Sequence, residues 1–200
     1  MTVRYLRVSD LTDRFEELEN ELLEHLNLQA SNRRDELQDE LQEEMKIEMA
    51  ERGDTSEPEF DRWVQVMASG EDSLGAKAKE YLSLEDFDAE LTPTIVSDMA
   101  DDCDHPMHSE AVEYKETEDL LDDIRGSGGN HKWRGNWYPD VLIPDYDFEE
   151  FARDEAESMG SMTGNEDWPL NCIDWERAAR ELQMDYTSVE HDGTTYYYRA

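Results

Sequence analysis

The C-terminal end of the sequence changes from a helical pattern to a strand pattern, and this change restricts the fold class more than any other feature. Asp174 can cap a helix that begins at Trp175, because its side chain accepts hydrogen bonds from the free N–H groups of the first turn. Residues 186–190 and 194–198 are rich in β-branched and aromatic side chains, and Asp192-Gly193 between them is a strong hairpin signal. An apolar stripe at near-helical spacing precedes the hairpin and is expected to be buried: Trp175, Ala178, Ala179, Leu182 and Met184.

Acidic residues far outnumber basic ones, with 53 Asp and Glu against 18 Lys and Arg, a formal net charge of −35 and an isoelectric point near 4.2. Apolar residues make up 37% of the chain and aromatic residues 10%, enough for a modest core, whereas a disordered acidic tail lacks aromatics. Two cysteines, Cys103 and Cys172, do not make a disulfide framework. With no signal peptide and no long apolar run, we expect a soluble cytoplasmic protein.

Two amphipathic helices are predicted in the first 50 residues. The first begins at Ser9 or Thr12, and the second covers about 32–50. Their apolar rows are Leu11, Phe15, Leu18, Leu22 and Leu26 for the first, and Leu37, Leu41, Met45 and Met49 for the second. The pair fits an antiparallel helical hairpin or a coiled-coil element that joins two copies in a homodimer, since two heptads do not distinguish the two.

Shorter helices are expected further along, at about 58–68, 74–82, 84–91 (capped by Ser83), 92–103 and 147–159. The GSGG run at Gly126–Gly129 reads as a linker. We therefore predict three parts: an acidic helical domain at 1–125, a Gly/Ser linker at 126–130, and a small C-terminal unit of one helix and a hairpin at 131–200. The predicted fold class is α+β, mostly helical.

The C-terminal third contains two short motifs, Ile173-Asp174-Trp175-Glu176 and Ala179-Arg180-Glu181-Leu182, preceded by Leu142-Ile143-Pro144 and Phe148-Glu149-Glu150-Phe151-Ala152-Arg153. With the first two motifs it resembles the ArdA family of antirestriction proteins, and with all four it resembles a set of phage and plasmid antirestriction proteins. The resemblance implies an inhibitor of host restriction-modification enzymes, above all those of Type I. The N-terminal two thirds carry no such resemblance.

The sequence offers little for catalysis or cofactor binding. Cys103, His105 and His108 are close together, but the CxxC-type pairs typical of structural zinc sites are missing, and we expect no metal site. Calcium loops, Walker loops, dinucleotide fingerprints and GxSxG motifs are also missing, so we expect no cofactor and no enzymatic activity. The basic, aromatic stretch 130–138 (NHKWRGNWY) is interpreted as a docking element for the C-terminal unit, not as a direct nucleic-acid contact.

A folded protein with this much acid suits imitation of DNA. B-form DNA carries about one negative charge per 1.7 Å of its axis, so −35 corresponds to about 60 Å of duplex. Carboxylates three and four residues apart on a helix lie about 5–6 Å from each other and can imitate a row of phosphates. The predicted partner is thus a DNA-binding protein, and the antirestriction resemblance implies a host defence protein, most of all a Type I restriction-modification complex.

The carboxylates predicted to contact this partner are Glu85, Asp86, Asp98, Asp101, Asp102, Asp119, Asp122, Asp123, Glu149, Glu150, Asp154 and Glu157. Two alternatives stay open at the level of sequence. One is an acidic inhibitor or adaptor of another nucleic-acid-binding protein, such as a CRISPR effector, RNA polymerase or a nucleoid protein. The other is a salt-adapted protein of unrelated function.

Overall fold

The computed structural model of the chain describes residues 4–53, 59–126, 138–160 and 170–199. Within these ranges the chain forms seven α-helices and four β-strands, which confirms the mostly helical α+β class. In chain order the elements are β1 (Leu6–Arg7), α1 (Val8–Arg52), α2 (Phe60–Met67), α3 (Ser73–Ser83), α4 (Pro93–Asp101), α5 (His108–Ile124), β2 (Val141–Pro144), α6 (Phe148–Ser158), α7 (Trp175–Gln183), β3 (Thr187–His191) and β4 (Thr194–Tyr198).

Val8–Arg52 forms one continuous helix, α1, so the predicted turn between two helices is wrong. No glycine or proline interrupts α1, and its two apolar rows are in phase. Ala30 and Arg34 carry the row on from Leu26 to Leu37 in steps of three and four residues. The helix ends at Gly53, whose φ of 65° suits a glycine just beyond a helix end.

The chain divides into two compact units, and the boundaries between them lie at other residues than predicted. We call them the sheet unit (Met1–Glu19 with Met99–Ala200) and the helical unit (Asn20–Asp98). The predicted boundary near 126 does not appear, because β1 pairs with β2 and α5 packs against β3 within the sheet unit. Most of the predicted linker 126–130 and of the basic stretch 130–138 lies outside the described residues.

The sheet unit contains a four-stranded antiparallel sheet in the order β1-β2-β4-β3. β3 and β4 form the predicted hairpin, with Thr187 opposite Tyr198 and His191 opposite Thr194. Its two connecting residues, Asp192 and Gly193, have φ angles of 46° and 67°. Positive φ at both positions is the requirement of a type I′ turn, which explains the Asp-Gly pair.

Phe148 is the centre of an aromatic cluster between the sheet and helices α6 and α7. It is 1% exposed, and its ring lies 5.3 Å from Phe151, 5.3 Å from Tyr186 and 5.0 Å from Tyr197, centroid to centroid. All three pairs meet edge to face, the arrangement that aromatic quadrupoles favour. Ile143, Ala152 and Ala179 complete this core, Leu182 packs against it partly buried, and α7 as a whole lies against α6.

The predicted burial of α7 is corrected in part. Asp174 does cap the helix, accepting a hydrogen bond from the Arg177 N–H at 3.1 Å. Trp175 and Leu182, however, are only half-buried, and Met184 is 77% exposed. A helix of nine residues that packs through Ala179 leaves the ends of its apolar stripe near solvent.

The helical unit is built on the C-terminal half of α1. Trp63 and Val64 of α2, with Ala78 and Tyr81 of α3, pack on the predicted seam, and the Trp63 indole donates a 2.9 Å hydrogen bond to Glu48. The residues of the α1 seam that are buried in this core are Leu37, Leu41 and Met45. The seam therefore packs within one chain, and nothing in this unit requires the coiled-coil alternative.

Two segments differ from the expected helices. Residues 84–91 are not helical, and the Ser83 hydroxyl donates to the Glu80 carbonyl oxygen at 2.7 Å instead of capping them. The N–H of Ala89 there donates to Asn27 at 3.0 Å. Conversely α5, which was not predicted as a helix, is 17 residues long and buries Tyr114, Leu121 and Ile124 along one face.

The continuity of α1 can be tested at Ser31, an exposed residue of the predicted turn. Ser31→Pro should lower the free energy of unfolding by about 3 kcal/mol, because proline inside a helix loses a hydrogen bond and clashes with the preceding turn. Ser31→Ala is the control and should leave stability unchanged or slightly higher. If chemical denaturation finds both variants equally stable, residues 27–32 form a turn and α1 is two helices.

Candidate protein-binding surface

The twelve carboxylates predicted from the sequence lie at the surface. Eleven are exposed and Glu150 is half-buried. Three belong to the helical unit, namely Glu85, Asp86 and Asp98, and the other nine belong to the sheet unit. The structure therefore does not gather the predicted residues into one site; it distributes them over the outer faces of several elements.

Helix α5 carries an ordered row of acids opposite its buried face. Glu116, Asp119 and Asp123 follow each other at steps of three and four residues, and all three are exposed. Successive members rise about 4.5–6 Å along the helix axis. Lys115 is the only Lys or Arg in α5, and Asp122 makes an ion pair with Arg125 at 3.4 Å. The row itself is left available to a cationic partner.

Helix α6 repeats this arrangement only in part. Glu150, Asp154 and Glu157 follow at steps of four and three residues, with Asp154 and Glu157 exposed and Glu150 half-buried. Glu149 instead lies 3.7 Å from Arg153, whose guanidinium is 5.3 Å from the centre of the Trp175 ring. Glu149 therefore helps to fix a cation–π contact between α6 and α7, in addition to adding surface charge.

The remaining predicted carboxylates lie on α4 or in the segments before and after it in the sequence. Glu85 lies 3.8 Å from Arg34, whereas Asp86 and Asp98 are exposed and make no ion pair among the described residues. Asp101 ends α4, and Asp102 accepts a 3.1 Å hydrogen bond from the Asp104 N–H. Asp98 and Asp101 are three residues apart on α4, but Glu85, Asp86 and Asp102 lie outside the helices, so this group does not form an extended row.

The prediction omitted a further acidic face on the C-terminal half of α1. It consists of six exposed carboxylates: Asp35, Glu36, Asp39, Glu40, Glu43 and Glu44. Lys77 contacts Glu40 at 2.7 Å and Arg33 contacts Glu36 at 3.4 Å. The sequence contained the signal, since these residues occupy the side of the helix opposite the row Leu37, Leu41 and Met45.

Two arginines, Arg14 and Arg33, hold elements together through acids that lie outside the rows of α5 and α6. Arg14 makes two hydrogen bonds to Glu113, both 2.8 Å, and they join α1 to α5 inside the sheet unit. These hydrogen bonds hold the pKa of Glu113 below its usual range. In the helical unit, Arg33 lowers the pKa of Glu80 in the same way, with a contact of 2.8 Å.

The residues considered for metal chemistry give no site in the described part of the chain. Cys103 is exposed, and the His105 ring nitrogen Nδ1 accepts a 3.1 Å hydrogen bond from the Met107 N–H. No group of three His, Cys, Asp or Glu side chains suited to a metal ion occurs among the residues described. Among these residues there is also no helix with the length and apolarity that crossing a membrane requires.

The α5 row presents regularly spaced negative charges, with a spacing wider than that of the phosphates of one DNA strand. A row such as Glu116, Asp119 and Asp123 places one carboxylate about every 4.5–6 Å, against about 3.4 Å between phosphates of one DNA strand.

No match was found between the chain and protein-family models, curated proteins or solved structures. The antirestriction resemblance therefore stays a prediction, and the functional argument rests on this surface.

The division between structural and surface acids can be tested on α5. Glu113→Gln should lower the free energy of unfolding by about 0.5–1 kcal/mol at pH 7, because the partly exposed pair with Arg14 is weakened. Since the pKa of Glu113 is lowered in the folded state, its stabilisation is present above about pH 4.3 and is lost as the pH falls through the folded pKa.

Glu116→Gln, one turn along, removes the same charge from the exposed row and is the matched control. It should leave stability at pH 7 unchanged or slightly higher, since like charges are removed. Denaturation of both variants and the parent at pH 7 and pH 3 gives the comparison. Equal destabilisation by the two changes, or a Glu113→Gln effect that grows at pH 3, would show that the two kinds of acid are not distinct.

Proposed function

We propose that this chain is a DNA-mimic inhibitor that occupies the DNA-binding cleft of a host restriction-modification enzyme, most of all one of Type I. The observation that carries the proposal is the exposed row of carboxylates on α5, which is distinct from the acids used in structural ion pairs such as Arg14 with Glu113. In this proposal the partner contacts the acidic surface of the chain. The chain itself binds no nucleic acid and has no enzymatic activity. Its place of action is the cytoplasm of the host cell.

The physical mechanism is competition for basic residues. A cleft that binds DNA presents Arg and Lys side chains to phosphates, and these side chains would contact regularly spaced carboxylates in the same way. Binding would release the counterions that a chain of net charge −35 collects, as DNA does when it is bound. Because no base is read, one inhibitor would act on enzymes with different recognition sequences.

Retention of so many acids also supports a role for the surface. Like charges three or four residues apart on a helix each destabilise it by a few tenths of a kcal/mol. The row on α5 makes no ion pair in the described chain, so folding gains nothing from its charges. A use in binding explains why the row is kept.

A charge-neutral row variant tests the proposal. Glu116→Gln, Asp119→Asn and Asp123→Asn together should weaken inhibition of DNA cleavage by a Type I enzyme roughly ten-fold, at about 0.5 kcal/mol per charge. The melting temperature should stay the same or rise, since repulsion along α5 is relieved. Inhibition by the parent protein should also fall when excess duplex DNA is added.

A charge-matched control uses three acids whose charge is already balanced by a neighbouring arginine: Glu36, Glu176 and Glu181. Changing these three to Gln gives the same net charge as the row variant and should weaken inhibition much less. Equal losses would mean that net charge alone matters. A single conservative change in the row that abolishes inhibition without altering the melt would indicate a discrete site and contradict surface mimicry.

A further inference from the structure

An aromatic cavity in the sheet unit takes no part in the acidic rows. Its volume is about 410 Å³, within the range of small-ligand sites. Four rings line it, those of Tyr138, Phe151, Tyr186 and Tyr198, together with Asp140 and Arg199. An open cavity walled by this many rings beside charged groups has the composition of a recognition site for a cation.

Within the cavity, the ring of Tyr186 packs against Phe151 and carries a cation on its face. Phe151 and Tyr186 meet edge to face, with centroids 5.8 Å apart and an interplanar angle of 80°. The guanidinium carbon of Arg199 lies over the Tyr186 ring, 5.4 Å from its centre. The face of the Tyr186 ring thus already holds a guanidinium, so the geometry of the cavity suits this group.

Charges around the cavity favour a cation as well. Burial raises the pKa of Tyr186; Arg199 opposes this rise, and the nearby carboxylates of Glu155 and Asp185 add to it. Asp140 is exposed at the cavity. Arg199 makes no ion pair within the described residues, so stacking on Tyr186 is what the structure shows holding it in place.

We propose that this cavity receives an arginine side chain of the partner protein, which takes the face of Tyr186 from Arg199. The identity of the partner, a DNA-binding enzyme that presents arginines, rests on the proposed function. The chemistry of the site does not. Arginine is favoured over lysine because its planar guanidinium stacks on aromatic faces and is less strongly hydrated than an ammonium group.

The proposal gives the acidic protein a point of specific attachment. The carboxylate rows attract any cationic cleft at long range, whereas the cavity accepts one side chain of defined shape. Arg199 then acts as an internal competitor that keeps the aromatic face covered until a partner arginine replaces it. Removing Arg199 should therefore strengthen, not weaken, the binding of an arginine ligand.

The test uses the full-length protein and two short blocked peptides that differ only in a central arginine or lysine. Binding is followed by the NMR signals of the Tyr186 and Phe151 rings during titration. Arg199→Ala should bind the arginine peptide about two- to thirty-fold more tightly than the parent, the range of a cation–π contact that no longer has to be displaced. Arg180→Ala has the same net charge, lies at the Glu176 ion pair, and should bind like the parent.

Two variants of Tyr186 complete the test. Tyr186→Leu should lose arginine binding by a similar factor, while Tyr186→Phe keeps the ring and should retain it. A thermal melt checks that the leucine variant is folded; if it is not, the Arg199→Ala and Tyr186→Phe results decide. Equal affinity for arginine and lysine peptides, tighter binding by Arg180→Ala as well, or no change in the Tyr186 ring signals would overturn the proposal. None of these results depends on whether the acidic rows inhibit a restriction enzyme.

Discussion

Repulsion among carboxylates is the constraint on which the rest of this structure depends. With 53 acids and 18 bases, most acids have no cation to pair with and must face water. The helices meet this requirement by two-sided patterning: α5 buries Tyr114, Leu121 and Ile124 and turns Glu116, Asp119 and Asp123 outward. Bases are used where elements meet, as in Arg14 with Glu113 and Arg33 with Glu80. The separation leaves a surplus of exposed acid that has no structural partner.

Local signals predicted the fold where one short segment determines the outcome. The Asp192-Gly193 turn and the Asp174 cap depend on neighbouring residues only, and both are confirmed. The turn predicted inside α1 is wrong. The residues between the two apolar rows are mostly polar, which resembles a break, but Ala30 and Arg34 keep the rows in phase along one helix. The pairing of β1 with β2 and the packing of α5 on β3 join residues far apart in sequence, which periodicity cannot predict.

The candidate surface was predictable in kind but not in arrangement. Exposure of the predicted carboxylates follows from their charge, and eleven of the twelve are exposed. Which of them form rows depends on helix phase, so the α5 row emerged only with the structure, whereas the acidic face of α1 follows from the sequence pattern of that helix. The aromatic cavity could not be foreseen, because Tyr138, Phe151, Tyr186 and Arg199 come from separate parts of the chain.

Salt dependence tests the central claim most directly, because the account predicts opposite effects of salt on folding and on binding. Between about 50 and 500 mM NaCl, screening should raise or maintain the melting temperature, since repulsion within the chain weakens. Over the same range the dissociation constant for a Type I restriction enzyme should rise steeply, with a log–log slope of several units. A dissociation constant that stays constant across this range, with folding stabilised as expected, would contradict the claim that the exposed carboxylates act as phosphates.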